Sequence, residues 1–154
     1  MLKYVNHDIV FQEFPDEVTL AINLSGCPNR CPGCHSPELR NDIGEALTEE
    51  RLNSLLEAYV GSITCVALMG GDGDPEGVVR LLRTVRKIYP ELRTGWYSGR
   101  ERMPSKEELS AFDYVKLGAW VEALGPLSSP TTNQRLYRID DGQARNITDR
   151  MQRR

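Results

Sequence analysis

The chain has 154 residues and a mass of 17.4 kDa, so a single domain over residues 1–154 is expected. Hydrophobic residues at 40% and charged residues at 27% argue against disorder, and a net charge of −3 argues against a nucleic-acid partner bound through a global positive field. No apolar run nears the roughly 20 residues of a membrane span, and Met1–Asp8 carries no signal-peptide pattern, so the expected setting is a reducing cytoplasm with no membrane partner.

In chain order, two strands are expected at Tyr4–Phe14 and Glu17–Leu24, joined by a turn at Pro15-Asp16. A helix is expected from Thr48 to about Tyr59, with Thr48 as N-cap, Glu49 and Glu50 at the positive end, and Leu52, Leu55 and Leu56 as the apolar stripe. The continuous run Ile63–Met69 suits a strand buried on both faces. A helix follows from about Glu76 to Tyr89, stopped by Pro90, and then a strand over Leu92–Ser98. Ser105-Lys106-Glu107-Glu108 is a capping box that starts a short helix. Phe112–Leu117 is the next strand, 118–133 is irregular, and Arg135–Thr148 is a hairpin turning at Asp141-Gly142. This alternation predicts an α/β fold with a mainly parallel sheet. About four strand–helix repeats are too few for a closed eightfold barrel, so an open or partial barrel is expected.

Four cysteines are present, and three lie in one short loop. Cys27, Cys31 and Cys34 have the spacing C-x3-C-x2-C, while Cys65 stands alone in an apolar run and reads as a small core residue. Thiolates are soft ligands that suit iron–sulfur clusters and zinc. Three of them fill three corners of a four-iron cubane and leave the fourth iron open. Zinc on the three thiolates plus His35 is an alternative, although Cys34 and His35 are neighbours and an awkward pair for one tetrahedral ion. A redox pair Cys31–Cys34 is another, although it leaves Cys27 unexplained.

Two further loops follow strands. Gly70-Gly71-Asp72 lets a ligand approach the backbone and offers a carboxylate to a cationic group, and Ser98-Gly99 closes the next strand. Ligands of α/β sheets bind outside the carboxyl ends of parallel strands, so all three loops are expected to open onto one crevice.

The cysteine spacing after a strand, with His35 directly behind the last cysteine and Gly70-Gly71-Asp72 after the next strand, resembles the radical S-adenosylmethionine superfamily. The resemblance implies a partial β/α barrel and a [4Fe-4S] cluster on Cys27, Cys31 and Cys34. It further implies S-adenosyl-L-methionine held beside Gly33, Cys34 and His35, with Gly70, Gly71 and Asp72 at its ammonium group and Ser98 near its ribose. Asp74, before Pro75, is a second candidate for the ammonium, because relatives often place proline directly after the acid. No side chain is then needed as an acid–base catalyst, and His7 reads as structural or exposed.

Within the superfamily, the short length, Gly118 at a strand end and Asn133-Gln134-Arg135 resemble the activating proteins of anaerobic ribonucleoside-triphosphate reductases, over essentially the whole chain. Leu117-Gly118 departs from their frequent Asp-Gly, and Thr131-Thr132 from their frequent Gly-Ser. The implied partners are the reductase large subunit and flavodoxin or a similar electron donor. An exposed region at Trp120 and a basic tail of Arg150, Arg153 and Arg154 are candidate contacts. The alternatives are an activase for another glycyl-radical enzyme, or a zinc- or iron-binding redox or interaction module.

Overall fold

A computed structural model describes residues 2–29 and 37–152. Its frame is one eight-stranded open sheet, with strands β1 (Lys3–Val10), β2 (Thr19–Leu24), β3 (Glu45–Ala46), β4 (Cys65–Met69), β5 (Arg93–Tyr97), β6 (Tyr114–Leu117), β7 (Arg135–Asp140) and β8 (Gln143–Asn146). The spatial order is β3-β1-β2-β4-β5-β6-β7-β8, so β3 and β8 are its edges.

The sheet is mixed, which corrects the expectation of a mainly parallel one. Only β2–β4, β4–β5 and β5–β6 pair in parallel, whereas β1–β2, β1–β3, β6–β7 and β7–β8 pair antiparallel. The reason lies in the connections. Parallel neighbours need a crossover, usually a helix. Among the described residues, the α-helices α1 (Glu49–Tyr59), α2 (Pro75–Ile88) and α3 (Lys106–Leu109) fall in the β2→β4, β4→β5 and β5→β6 connections. The irregular link from β6 to β7 and the two hairpins therefore return the chain antiparallel.

The helices begin where their caps direct. The Thr48 side chain accepts the Arg51 N–H and Asp74 accepts that of Gly77, with Pro75 in the first turn of α2. Both bonds of the Ser105–Glu108 capping box are formed. Burial sets which way each element faces. Leu52 and Leu56 of α1 and Val78, Leu81 and Leu82 of α2 share one core with Ile22, Leu68 and Val115 of the strands. The helices thus cover one face of the sheet. Alternate strand residues, Cys65, Ala67, Tyr114 and Leu136, point to the other face, where Phe14, Leu127 and Ile147 cover them. Among the described residues no helix is long and apolar enough to cross a membrane.

The first strand is shorter than expected. It ends at Val10, and the chain turns through Asp16, at φ +62°, before β2. Phe14 leaves the sheet plane and folds over the second face, where it stacks on Tyr114 with ring centroids 4.6 Å apart. The seat is Gly95, because a β-carbon there would come within 2.4 Å of the Phe14 ring. Tyr97 donates its hydroxyl to the Glu13 carbonyl at 2.5 Å, and Tyr114 donates to buried Glu17 at 2.7 Å. The last hairpin turns at Asp141 and Gly142, both at positive φ, as its sequence implies.

Candidate functional site: the cysteine and glycine loops

The parallel run β2-β4-β5-β6 carries its successive carboxyl-terminal loops along one edge, and backbone hydrogen bonds tie them together. Gly70 N–H donates to Tyr97 O at 2.9 Å, Ser98 N–H to Lys116 O at 2.8 Å, and Gly118 N–H to Arg100 O at 2.7 Å. The indole of buried Trp96 donates to Gly70 O at 2.6 Å. Gly70 and Gly71 stand at φ +103° and +91°, a region β-carbons avoid.

The neck of the cysteine loop is closed in the same way. Gly26 N–H donates to Asn41 O at 2.9 Å and Cys27 N–H to Leu39 O at 2.8 Å. Beside them Ser25 donates its N–H to Lys3 O and its hydroxyl to Ile43 O, at 3.0 and 2.5 Å. Cys27 therefore sits on a fixed stem. Its thiol is half-exposed, free of any disulfide, and meets only Asn29 O at 3.8 Å among the described residues. Cys31, Gly33, Cys34 and His35 lie outside the described residues. Cys65 is fully buried on the second face, and burial, reinforced by the Glu17 carboxylate, pushes its thiol far up. It stays protonated and belongs to the core.

Asp72 is the polar centre of the arrangement. It is 1% exposed. One carboxylate oxygen accepts the Ser98 hydroxyl at 2.6 Å, and the other accepts the Gly99 N–H at 2.8 Å and the Asn29 side-chain amide at 2.5 Å. The Arg100 guanidinium donates to the Asp72 main-chain carbonyl. Three loops thus converge on one carboxylate. A carboxylate accepts at about four positions, so one at the Ser98-bonded oxygen remains.

Asp74 differs. It caps α2 and is half-buried, and it lines two cavities that flank the glycine loop. The smaller, about 140 Å³, lies between Ser25 and Gly26 of the cysteine stem and Gly71 and Gly73. The larger, about 400 Å³, is walled by Trp96, Arg100, Arg102 and Met103. Asp72 lines neither of these two.

The structure brings Cys27, Gly70, Gly71, Asp72 and Ser98 to one edge of the sheet. Ser98 is buried there and turned onto Asp72. Sequence reading gave no role to Asn29 or Arg100 and took Gly99 only as the close of a strand, yet all three complete the Asp72 constellation. Asn29 alone had a signal, its place between two candidate ligands. His7 is structural: it shares a hydrogen bond with the Tyr59 hydroxyl at 3.3 Å. The 133–135 segment folds on itself, with the Arg135 guanidinium donating to Thr132 O and Gln134 O, and Gln134 is buried. Trp120 is half-buried rather than exposed, although Val121–Leu124 beside it are exposed. Arg150 is paired with Asp16 at 2.5 Å, and Arg153 and Arg154 lie outside the described residues.

Among the described residues no three His, Cys, Asp or Glu side chains form a metal-holding group, so any cluster depends on the cysteine loop. The donor set there fits: Cys27 is a free, accessible thiol on a rigid stem, and two more thiols follow within seven residues. No curated protein and no solved structure matched the chain. A family model described as a 4Fe-4S single cluster domain matches residues 18–137, from the start of β2 into β7 and across all three loops. With most of its length and its entire cysteine loop inside that match, the chain belongs to the 4Fe-4S single cluster domain family.

Proposed function

We propose that this iron–sulfur protein is a radical S-adenosylmethionine activase that generates the glycyl radical of the anaerobic ribonucleoside-triphosphate reductase. The observation that carries the reading is the convergence of the cysteine stem, the glycine loop and the Ser98 loop on Asp72, at the carboxyl-terminal edge of the parallel strands. Open α/β sheets bind their ligands at this edge. The open sheet, with α1 and α2 packed on one face, suits the partial β/α barrel of that superfamily.

In this reading Cys27, Cys31 and Cys34 hold the cluster. Bound there, a reduced [4Fe-4S] cluster would supply the electron for reductive cleavage of S-adenosylmethionine. The chain's own residues bind and orient. Gly33, Cys34 and His35 lie beside the cofactor. Gly70 and Gly71, at φ +103° and +91°, give the loop the backbone path that would face the cofactor. Asp74 gives the adjoining cavities an acidic wall, and buried Asp72 keeps one accepting position, either of which suits an ammonium group. Ser98 holds the Asp72 carboxylate in place, and the loop it opens is assigned to the ribose. The partners are the reductase large subunit and a flavodoxin-like donor, and the cytoplasm is the setting.

The test is anaerobic reconstitution with iron and sulfide, followed by reduction, electron paramagnetic resonance and assay of 5′-deoxyadenosine. A +1 cubane signal that changes with S-adenosylmethionine, with deoxyadenosine formed, is the expected result. A cubane without cofactor cleavage would leave an iron–sulfur redox or interaction module and overturn the activase reading. Adding the reductase then tests the partner, through a glycyl-radical signal.

A further inference from the structure

We propose that Asn29 is a positioning residue whose side-chain amide latches the cysteine loop onto the buried Asp72 carboxylate and so fixes Cys27 relative to the glycine loop. The inference rests on the iron–sulfur family alone, not on cofactor cleavage.

Three observations carry it. The Asn29 Nδ2 lies 2.5 Å from Asp72 Oδ2, a short contact to an acceptor that is 1% exposed. Hydrogen bonds to an ionised acceptor are stronger than neutral ones, and burial removes the competition of water. The acceptor cannot follow the loop if the loop moves. Ser98 and Gly99 hold its carboxylate, and the Arg100 side chain holds its carbonyl. The pocket is also shaped for the amide: a β-carbon on Gly99 would come within 2.6 Å of Asn29 Nδ2 and 3.3 Å of Asp72 Oδ2. Gly99 is not at positive φ, so space rather than backbone conformation demands glycine there.

Asn29 follows Cys27 by two residues, and its own carbonyl meets the Cys27 thiol at 3.8 Å. The neck bonds of Gly26 and Cys27 fix the loop where it leaves the sheet. Asn29 adds an anchor beyond the neck, on the far side of the first thiol. Without the latch, Cys27 keeps its stem but loses its fixed relation to the glycine loop.

The test uses the reconstituted, cluster-loaded protein and a ferrous-iron chelator. Asn29→Ala should release iron about tenfold faster or more, by the strength of a hydrogen bond to a charged group. The cluster-free variant should still unfold cooperatively, with its thermal midpoint lowered by roughly 3–12 °C through loss of the same bond. Asn29→Asp sets two carboxylates together and should release iron faster still at neutral pH, whereas combining it with Asp72→Asn restores one amide and one carboxylate and should recover part of the loss. In cluster-free wild type, the side-chain amide resonance of Asn29 should be protected from solvent exchange, and Asp72→Asn should abolish that protection. Iron release unchanged in Asn29→Ala would overturn the proposal. So would equally fast release from Ser105→Ala, which loses stability away from the cysteine loop, or a double variant no better than Asn29→Asp.

Discussion

Replacing Gly71 by alanine imposes two separable costs on the glycine loop. The first is conformational. At φ +91° an L-residue loses roughly 1–2 kcal/mol. The second is steric. The new β-carbon would lie 2.7 Å from Val78 Cγ2 and 2.9 Å from Leu24 Cδ1, and both side chains are fully buried and cannot swing away. Overpacking of this kind costs about 1–3 kcal/mol. The sum, about 2–5 kcal/mol, is a large share of the roughly 5–15 kcal/mol that holds a domain together, and lowers the thermal midpoint by roughly 4–20 °C at this size. The assay is thermal and urea denaturation of cluster-free protein, followed by circular dichroism.

Gly73→Ala is the comparison. Gly73 is exposed, is not at positive φ, and its β-carbon would meet nothing closer than Gly26 O at 3.4 Å, so the change should stay within about 0.5 kcal/mol. Adding Val78→Ala to Gly71→Ala removes one of the two clashes but not the backbone cost, so a coupling of about 0.5–3 kcal/mol and an incomplete rescue are expected. Equal effects at Gly71 and Gly73 would refute the reasoning.

Further outcomes are expected elsewhere. Alanine at Cys27, Cys31 or Cys34 should abolish the cubane on reconstitution, read as iron and sulfide content, while Cys65→Ala should keep it and lose only stability. Cys65 should resist iodoacetamide in the folded protein at pH 8 and react once urea is added, because burial keeps its thiol protonated. Tyr114 has its phenol pushed up to about 12 by burial, and secondarily by the Glu17 carboxylate that accepts its proton. Its contribution to stability is full below pH about 10, where the unfolded phenol is also neutral, and is lost as pH rises from there to about 12. Tyr114→Phe should remove that part of the alkaline slope. Ser105→Ala should cost about 1 kcal/mol through loss of the α3 cap. The Ser105 backbone N–H also holds the Glu108 carboxyl below its usual range, so this stabilisation is present above that range and declines as pH falls through it.

Local chemistry was readable directly. Thr48, Ser105 and Asp141-Gly142 announce two caps and a turn because each acts on backbone groups within a few residues of itself. The buried run at Cys65–Met69 and the stripe of α2 are equally local, since burial on both faces or on one face is written as residue spacing. The cysteine loop is legible for the same reason: one short segment supplies all three candidate thiolates.

Other features depended on residues far apart in the chain. Strand direction followed from which connections carry a helix: β2, β4, β5 and β6 run parallel, whereas the β6–β7 link and the two hairpins return antiparallel. The fate of Phe14 hinged on Gly95, 81 residues away, which leaves the seat its ring occupies. The apolar spacing of Tyr4–Phe14 carries no mark of that seat.

The division of work between Asp72 and Asp74 was decided in the same way. By itself the sequence established an α/β chain with a soft-ligand loop and glycine-rich strand ends, because composition, periodicity and caps act locally. Only the tertiary structure set Asn29, Ser98, Gly99 and Arg100 around Asp72. A buried carboxylate must find its donors wherever the packed strands bring them, and here they come from residues up to 43 positions away.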